Sequence, residues 1–161
     1  MKLKIHFIYV IIMALLTVSM IGCSNHSDKE AIYDSDELML ESGDSYFYSL
    51  RDDASEDVAN QIDLSYRGFI GRDTIWTIQV DESTTIDFSY RSELRNGQFK
   101  IIIVTPTNEI HTLLSMSDED TESITFPEGR YDIKFIGKNA FGSISMTIAV
   151  TPGVTLDKHD K

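Results

Sequence analysis

Residues 74–104 read TIWTIQVDESTTIDFSYRSELRNGQFKIIIV, and this stretch decides the fold class. Trp76, Ile78 and Val80 alternate with polar residues, which is the two-residue period of a strand with one buried face. The same period returns at residues 86–90, after the turn-like residues 81–83. Strands rather than helices are therefore predicted here.

The end of this stretch carries two further signals. Asn96-Gly97 is a pair suited to turn positions with φ > 0. Residues 101–104 read IIIV, an apolar run without alternation. A short, unbroken β-branched run predicts a strand that is covered on both faces.

The alternation extends beyond this stretch in both directions. It recurs at residues 62–66, 131–135 and 144–150. Residues rich in glycine, proline and asparagine separate the segments and predict turns: Gly68 and Gly71, Asn96-Gly97, and residues 106–108, 127–129, 137–142 and 151–153. We therefore predict seven or eight short strands that form an all-β domain, a single antiparallel β-sandwich of jelly-roll-like type.

Residues 74–150 resemble the small jelly-roll-type sandwiches appended to secreted bacterial proteins, including the pre-peptidase C-terminal domain. The resemblance rests on the alternation from Trp76 to Val80, the Pro127-Glu128-Gly129 turn and the Tyr131-x-Ile133 strand that follows it. It implies a small jelly-roll-type sandwich. The Asp-rich strand usual in that family is absent because residues 99–104 are mostly apolar, so no calcium or ligand residues are carried over.

The N-terminus predicts where the protein works. Lys2 and Lys4 precede an apolar run at residues 7–18, and Met20-Ile21-Gly22-Cys23 follows. This pattern resembles the lipobox of bacterial lipoproteins and implies cleavage before Cys23 and a diacylglyceryl thioether on its sulfur. Two acyl chains give stable anchoring where one does not. We therefore expect a lipid-anchored protein on the extracytoplasmic face of a bacterial cell membrane.

Two other interpretations of the N-terminus remain. Residues 5–21 are a marginal transmembrane signal anchor, since a span needs about 20 apolar residues. A cleaved soluble form would need a small-x-small cleavage site, which Met20-Ile21-Gly22 fits poorly.

The composition predicts four regions in the chain. They are a signal peptide at residues 1–22, a flexible tether at 23–44, the sandwich at 45–150 and a polar tail at 151–161. The tether prediction rests on a polar, charged composition that cannot bury enough apolar area to offset the entropy of ordering. Cys23 is the only cysteine, so no disulfide is available to the domain.

The charge of the chain limits its partners. It carries 14 basic and 26 acidic residues, a net charge of −12. This excludes nucleic acid as a favoured partner, because that affinity comes largely from lysine and arginine contacts with phosphate. Anionic lipid headgroups should also be repelled unless a divalent cation bridges them. A glycan or a basic protein is compatible with the charge, and we expect a monomer.

Metal and catalytic residues are sparse. His111 is the only histidine in the predicted domain, so neither a zinc site nor a catalytic triad is predicted, and an exposed strand position is the favoured interpretation. Asp118-x-Asp120-x-Glu122 has alternating oxygen ligands, but Ser123 and Gly129 stand where an EF-hand needs glycine and glutamate.

A looser cation site remains open for the acidic loop at residues 115–123, with Asp52 or Asp53 supplied from elsewhere. A solvated loop is the favoured interpretation. The sequence predicts no cofactor and no metal.

One group of aromatic residues could contribute to a ligand-binding surface. Tyr46, Phe47 and Tyr48 are consecutive, so at least one ring should point away from the core if they form a strand. Trp76 shares a face with Ile78 and is expected in the core.

These observations favour a non-catalytic, membrane-anchored binding or accessory domain whose ligand is unknown. An immunity or inhibitor lipoprotein that captures a basic protein through its acidic surface is the alternative. A hydrolase that uses scattered carboxylates is the least favoured.

Overall fold

The computed structural model describes residues 24–55 and 57–159. In chain order the elements are helix α1 (Ser24–Ala31), a 3₁₀ turn (Ile32–Asp34), helix α2 (Asp36–Leu40), and strands β1 (Ser45–Phe47), β2 (Leu50–Asp53), β3 (Gln61–Val80), β4 (Thr84–Val104), β5 (Ile110–Ser115), β6 (Asp118–Phe126), β7 (Gly129–Ile148) and β8 (Val154–Lys158). All the strand pairs are antiparallel. The all-β prediction is confirmed.

Three long strands form the centre of the sheet. β7 lies between β3 and β4, and the strands β3, β4 and β7 are 20, 21 and 20 residues long. β1, β2 and β8 pair with the other edge of β3, and β5 and β6 pair with the other edge of β4. The prediction that residues 62–66 and 76–80 form separate short strands was wrong, because both belong to β3.

The long strands bend where the sequence predicted turns. Gly71 of β3 and Phe99 of β4 both lie opposite Gly137 of β7. The pairing register of β7 with each of these strands shifts close to this position. Gly97 has φ +77, and a Cβ there would lie 2.2 Å from the carbonyl oxygen of Asn139. These residues therefore bend strands that continue, instead of reversing the chain.

The bends fold the sheet into the two layers of a β-sandwich. One layer contains the first halves of β3 and β4 and the second half of β7, and the other contains the remaining halves. Rings from the two layers meet between them: Tyr66 stacks on Phe99 with centroids 5.0 Å apart, and Phe126 meets Tyr131 edge-on at 4.8 Å. The predicted sandwich is thus confirmed, although it is built from one continuous sheet.

The apolar run at residues 101–104 is covered on both faces, as predicted. Ile101 and Ile103 belong to the core between the layers. Ile102 and Val104 belong to a second cluster on the outer face of the sheet.

The cover on that outer face is the N-terminal segment. Ile32 and Met39 are 4% and 1% exposed and belong to the second cluster. The prediction of a flexible tether at residues 23–44 therefore differs from the structure, in which residues 24–40 are mostly helical. The segment is polar on average, but its two apolar side chains Ile32 and Met39 pack on a sheet face that would otherwise be exposed.

Basic side chains of the sheet hold this segment in place. Lys134 is 2% exposed, and its Nζ donates hydrogen bonds to the carbonyl oxygens of Met39 and Glu41 at 3.1 and 2.9 Å. Arg72 donates to the carbonyl oxygens of Leu38 and Gly43 and to the carboxylate of Glu41. These bonds satisfy the carbonyl groups of Leu38, Met39, Glu41 and Gly43, at and beyond the end of α2.

The C-terminal segment is also part of the sheet. β8 pairs with β3 over residues that the sequence assigned to a polar tail at 151–161. The Nζ of Lys158 lies 3.3 Å from a carboxylate oxygen of Asp53 and donates to the carbonyl oxygen of Ser55 at 2.7 Å. The prediction of a polar tail thus differs from the structure, because the short alternating segment Val154-Thr155-Leu156 pairs with β3 as a strand.

Candidate functional site

The sandwich is open along one edge, between β5 and β6. Both strands pair with β4, but with opposite halves of it, so they lie in different layers. A cavity of about 400 Å³ lies at the end of this edge. Its apolar walls are formed by Ile103, Pro106, Ile124, Phe126, Pro127 and Tyr131. Its polar rim is formed by Thr105, Thr107, Glu109, His111, Thr125 and Glu128.

Two buried aromatic rings form the floor of this edge pocket. Phe126 and Tyr131 are 2% and 4% exposed. The Tyr131 hydroxyl donates to the carbonyl oxygen of Pro127 at 2.9 Å. Burial raises the pKa of Tyr131, so its hydroxyl stays protonated and the floor is uncharged near neutral pH.

The rim of the edge pocket is held by a small hydrogen-bond network. The backbone N–H of Glu109 donates to Thr105 Oγ1 at 3.0 Å, and the Thr107 hydroxyl donates to Glu109 Oε2 at 3.1 Å. Asn108, at φ +59, allows the turn between them. The Glu109 carboxylate is therefore oriented by its own loop while remaining exposed, and Glu128 is exposed across the pocket.

His111 lies where the rim meets the open edge. It is exposed on β5, which confirms the favoured interpretation. Its Nε2 lies 3.5 Å from Glu122 Oε1 on β6, so the two side chains span the gap between the layers. No local pattern indicated this contact, because residues 111 and 122 are brought together only by the pairing of both strands with β4.

The acidic residues predicted to lie in a loop belong to β6. Asp118, Asp120 and Glu122 alternate along the strand, on the side that faces Tyr90. Burial, followed by these three carboxylates, raises the pKa of Tyr90. The expectation of a polar loop at residues 115–123 was therefore wrong for residues 118–123.

The looser cation site is not assembled. Asp52 and Asp53 are on β2 and pair with β3, whereas β6 pairs with β4 on the far side of β7. Over residues 24–55 and 57–159, no group of three histidine, cysteine or acidic side chains is placed to hold a metal ion.

The aromatic predictions are confirmed. Trp76 is fully buried, and its Nε1 donates to the carbonyl oxygen of Ala59 at 2.8 Å. Phe47 is 42% exposed and points away from the core, while Tyr48 stacks on Phe69 with centroids 4.3 Å apart. An exposed ring is thus present, but it is not among the residues that line the edge pocket.

Cys23 lies outside the described residues. Within the described part of the chain, no helix is long and apolar enough to span a bilayer.

Comparisons with known proteins give loose structural similarities only. No family model matches the chain, and no curated protein matches it. The carbohydrate-binding module CBM35 from Cellvibrio japonicus Abf62 is 10% identical, with a TM-score of 0.37 over 70% of this chain and 80% of that one. The module CBM6cm-2 from Cellvibrio mixtus lichenase 5A, solved with cellotriose, is 13% identical, with a TM-score of 0.37 over 71% and 94%.

A third structure, Xyl-CBM35 in complex with a glucuronic acid containing disaccharide, is 11% identical, with a TM-score of 0.37 over 75% of this chain and 84% of that one. Because the TM-scores are below 0.5, the ligands of these modules are not assigned to this chain. No family model supports the resemblance of residues 74–150 to the pre-peptidase C-terminal domain.

Proposed function

We propose that this protein is a non-catalytic binding domain that takes its ligand in the edge pocket. The observation that carries the proposal is a cavity of about 400 Å³ with apolar walls and a polar rim, at an edge where the sandwich is open. Binding sites commonly combine such walls with a few oriented polar groups. Glu109 and Glu128 are both exposed, and this is not the apolar environment in which a hydrolase keeps its general acid protonated.

The rim favours a ligand with a cationic group on an apolar body. Glu109 and Glu128 place negative charge at the mouth, while the Phe126 and Tyr131 rings below it are closely packed and present little surface on which a sugar could stack. A lysine or arginine side chain has an aliphatic stem and a charged head, which match the walls and the rim. A basic protein is therefore the class of ligand that this site supports best, and a glycan is the competing class.

Calorimetric titration of the whole chain with tetralysine and with a neutral gluco-oligosaccharide tests both classes. Tetralysine should bind, and Glu109→Gln with Glu128→Gln should weaken its binding about tenfold, which corresponds to about 1.4 kcal/mol. Glu82→Gln is the matched control, since it removes an exposed carboxylate outside the pocket. Binding of the oligosaccharide alone would favour the glycan. If neither probe binds, the proposal that the edge pocket is a binding site is wrong.

We further propose that Cys23 is lipidated and holds the domain at the extracytoplasmic face of a bacterial membrane. The support is the lipobox-like Met20-Ile21-Gly22-Cys23 after the basic and apolar run. Cys23→Ala should leave uncleaved precursor and abolish acyl labelling, whereas Ser24→Ala should be processed normally. Labelling that persists in Cys23→Ala would exclude this anchor.

A further inference from the structure

Two arginines differ from every other basic residue that the structure describes. The five described lysines donate to a backbone carbonyl or a carboxylate. Arg51, Arg72, Arg91 and Arg130 each have a carboxylate within 4 Å. Within the described ranges, the side chains of Arg67 and Arg95 have neither an ion pair nor a hydrogen bond. In a chain with 26 acidic residues, two unpaired guanidinium groups on one surface need an explanation.

Both guanidinium groups lie over the same aromatic ring. The Arg67 and Arg95 Cζ atoms are 4.7 and 5.5 Å from the centroid of Phe141. Leu50, which is 50% exposed, lies opposite Arg67 on β2. These four residues form a row across β2, β3, β7 and β4, where the long strands bend, and with the exposed Phe47 they make up what we call the bend patch.

Two carboxylates lie close to the bend patch along the strands without forming an ion pair with its arginines. Asp52 and Glu93 are two residues away along their strands from Leu50 and Arg95, and Glu93 already pairs with Arg91 at 3.2 Å. The ring of Phe141 keeps both guanidinium groups at the surface, where their N–H groups are available to an external acceptor.

The bend patch lies beside the point where the chain leads to Cys23. The His26 ring lies 5.1 Å from the Phe47 ring, and Lys29 Nζ donates to the carbonyl oxygen of Tyr46 at 2.8 Å. Helix α1 begins at Ser24, which is joined directly to Cys23. The edge pocket is at the other end of the sandwich, beyond Val104 and about 23 Å from Gly97 along β4 at about 3.3 Å per residue.

We propose that the bend patch rests on the anionic lipid surface in which Cys23 is anchored, so that the edge pocket points away from the membrane. This inference rests on the proposed lipidation. Arg67 and Arg95 bind lipid phosphates, and Phe47 and Leu50 enter the headgroup region. The sequence alone predicted repulsion from anionic headgroups. Direct contacts of the two guanidinium groups with lipid phosphates offset that repulsion, because charge-assisted hydrogen bonds are roughly twice as strong as neutral ones.

The test uses the lipidated whole chain on vesicles of phosphatidylcholine, with and without phosphatidylglycerol. Because Cys23 is the only native cysteine, an introduced cysteine is the only free thiol once Cys23 is lipidated. An environment-sensitive dye at Leu50→Cys should shift to shorter wavelength on the anionic vesicles, and the same dye at Thr107→Cys, on the pocket rim, should not. Arg67→Gln with Arg95→Gln should remove the shift, whereas Arg130→Gln, near the start of β7 and away from the bend, should keep it.

Each arginine should contribute about fivefold to this docking equilibrium. Suppose that the protein floats with the vesicles but the dye emits at the same wavelength at positions 50 and 107. The proposed docking of the bend patch would then be wrong, while the lipid anchor would still stand. Protein that does not float would overturn the anchor and the docking that rests on it.

Discussion

At the scale of single residues, Asp53 shows how one buried ion pair joins two distant parts of the chain. Its carboxylate and the Lys158 ammonium are 2% and 6% exposed and 3.3 Å apart, which ties β2 to β8. Burial by itself would raise the pKa of Asp53. Hydrogen bonds from the N–H and hydroxyl of Ser55 and from the N–H of Asp63, together with Lys158, hold that pKa below its usual value.

Replacing Asp53 should therefore give a pH-dependent loss of stability. Asp53→Asn leaves the buried ammonium without its counter-charge, which should cost about 3 kcal/mol at neutral pH. Since the pKa is lower in the folded chain, the carboxylate stabilises the fold above the ordinary value of 3.8, and this contribution is lost as the pH falls through the folded-state pKa. The difference between the wild type and Asp53→Asn in urea unfolding should thus shrink below pH 3.8.

Asp52→Asn is the matched control for this experiment, because Asp52 is the exposed neighbour on the same strand. Its unfolding free energy should stay within about 0.5 kcal/mol of the wild type. Similar losses for the two variants would contradict a specific role for the Asp53–Lys158 pair.

At the scale of elements, the N-terminal helices are part of the folded domain. Met39→Ala should lower the free energy of unfolding by about 3 kcal/mol, because it removes a side chain that is 1% exposed in the second cluster. Met116→Ala is the control, since Met116 is 48% exposed on the turn before β6. If residues 24–40 were a flexible tether, both variants would unfold like the wild type in urea.

The strands were predictable because alternation is a local signal. Trp76, Ile78 and Val80 point into the core because adjacent strand residues face opposite sides, and this needs no knowledge of the partner strand. The covered run at residues 101–104 was predictable for the same reason. Its cover was not, because Ile32 and Met39 lie in a segment whose average composition is polar.

The contacts of the edge pocket were less predictable, because they join residues that are distant in sequence. His111 meets Glu122 only because β5 and β6 pair with opposite halves of β4. Lys134 alternates with Ile133 and Phe135, so its side chain lies on the outer face of the sheet. It is buried because α2 covers that face, and burial lowers its pKa.

At the scale of the whole molecule, the bend patch and the edge pocket lie at opposite ends of the sandwich and differ in charge. The bend patch carries two unpaired guanidinium groups among the described residues, and the rim of the edge pocket at the other end carries two exposed carboxylates. Three continuous strands connect these ends, so both surfaces have fixed positions on one rigid sheet. The proposed membrane contact and the proposed basic ligand would therefore lie at opposite ends of one fold.

This arrangement depends on Gly97, where β4 bends. Gly97→Ala would place a Cβ 2.2 Å from the carbonyl oxygen of Asn139, and because that atom belongs to the backbone of β7, the contact forces the two strands apart. We expect the substitution to lower the free energy of unfolding by about 3 kcal/mol, measured by urea unfolding.

Gly43→Ala is the matched control for the bend, since Gly43 also has positive φ, at +82, but no atom lies within 4 Å of the position that its Cβ would take. It should cost only the backbone strain of about 1 kcal/mol. Urea unfolding of both variants separates this strain from the cost of the close contact. If both variants lose the same free energy of unfolding, Gly97 is required only for its positive φ angle. The close approach of β4 and β7 at the bend would then not depend on it.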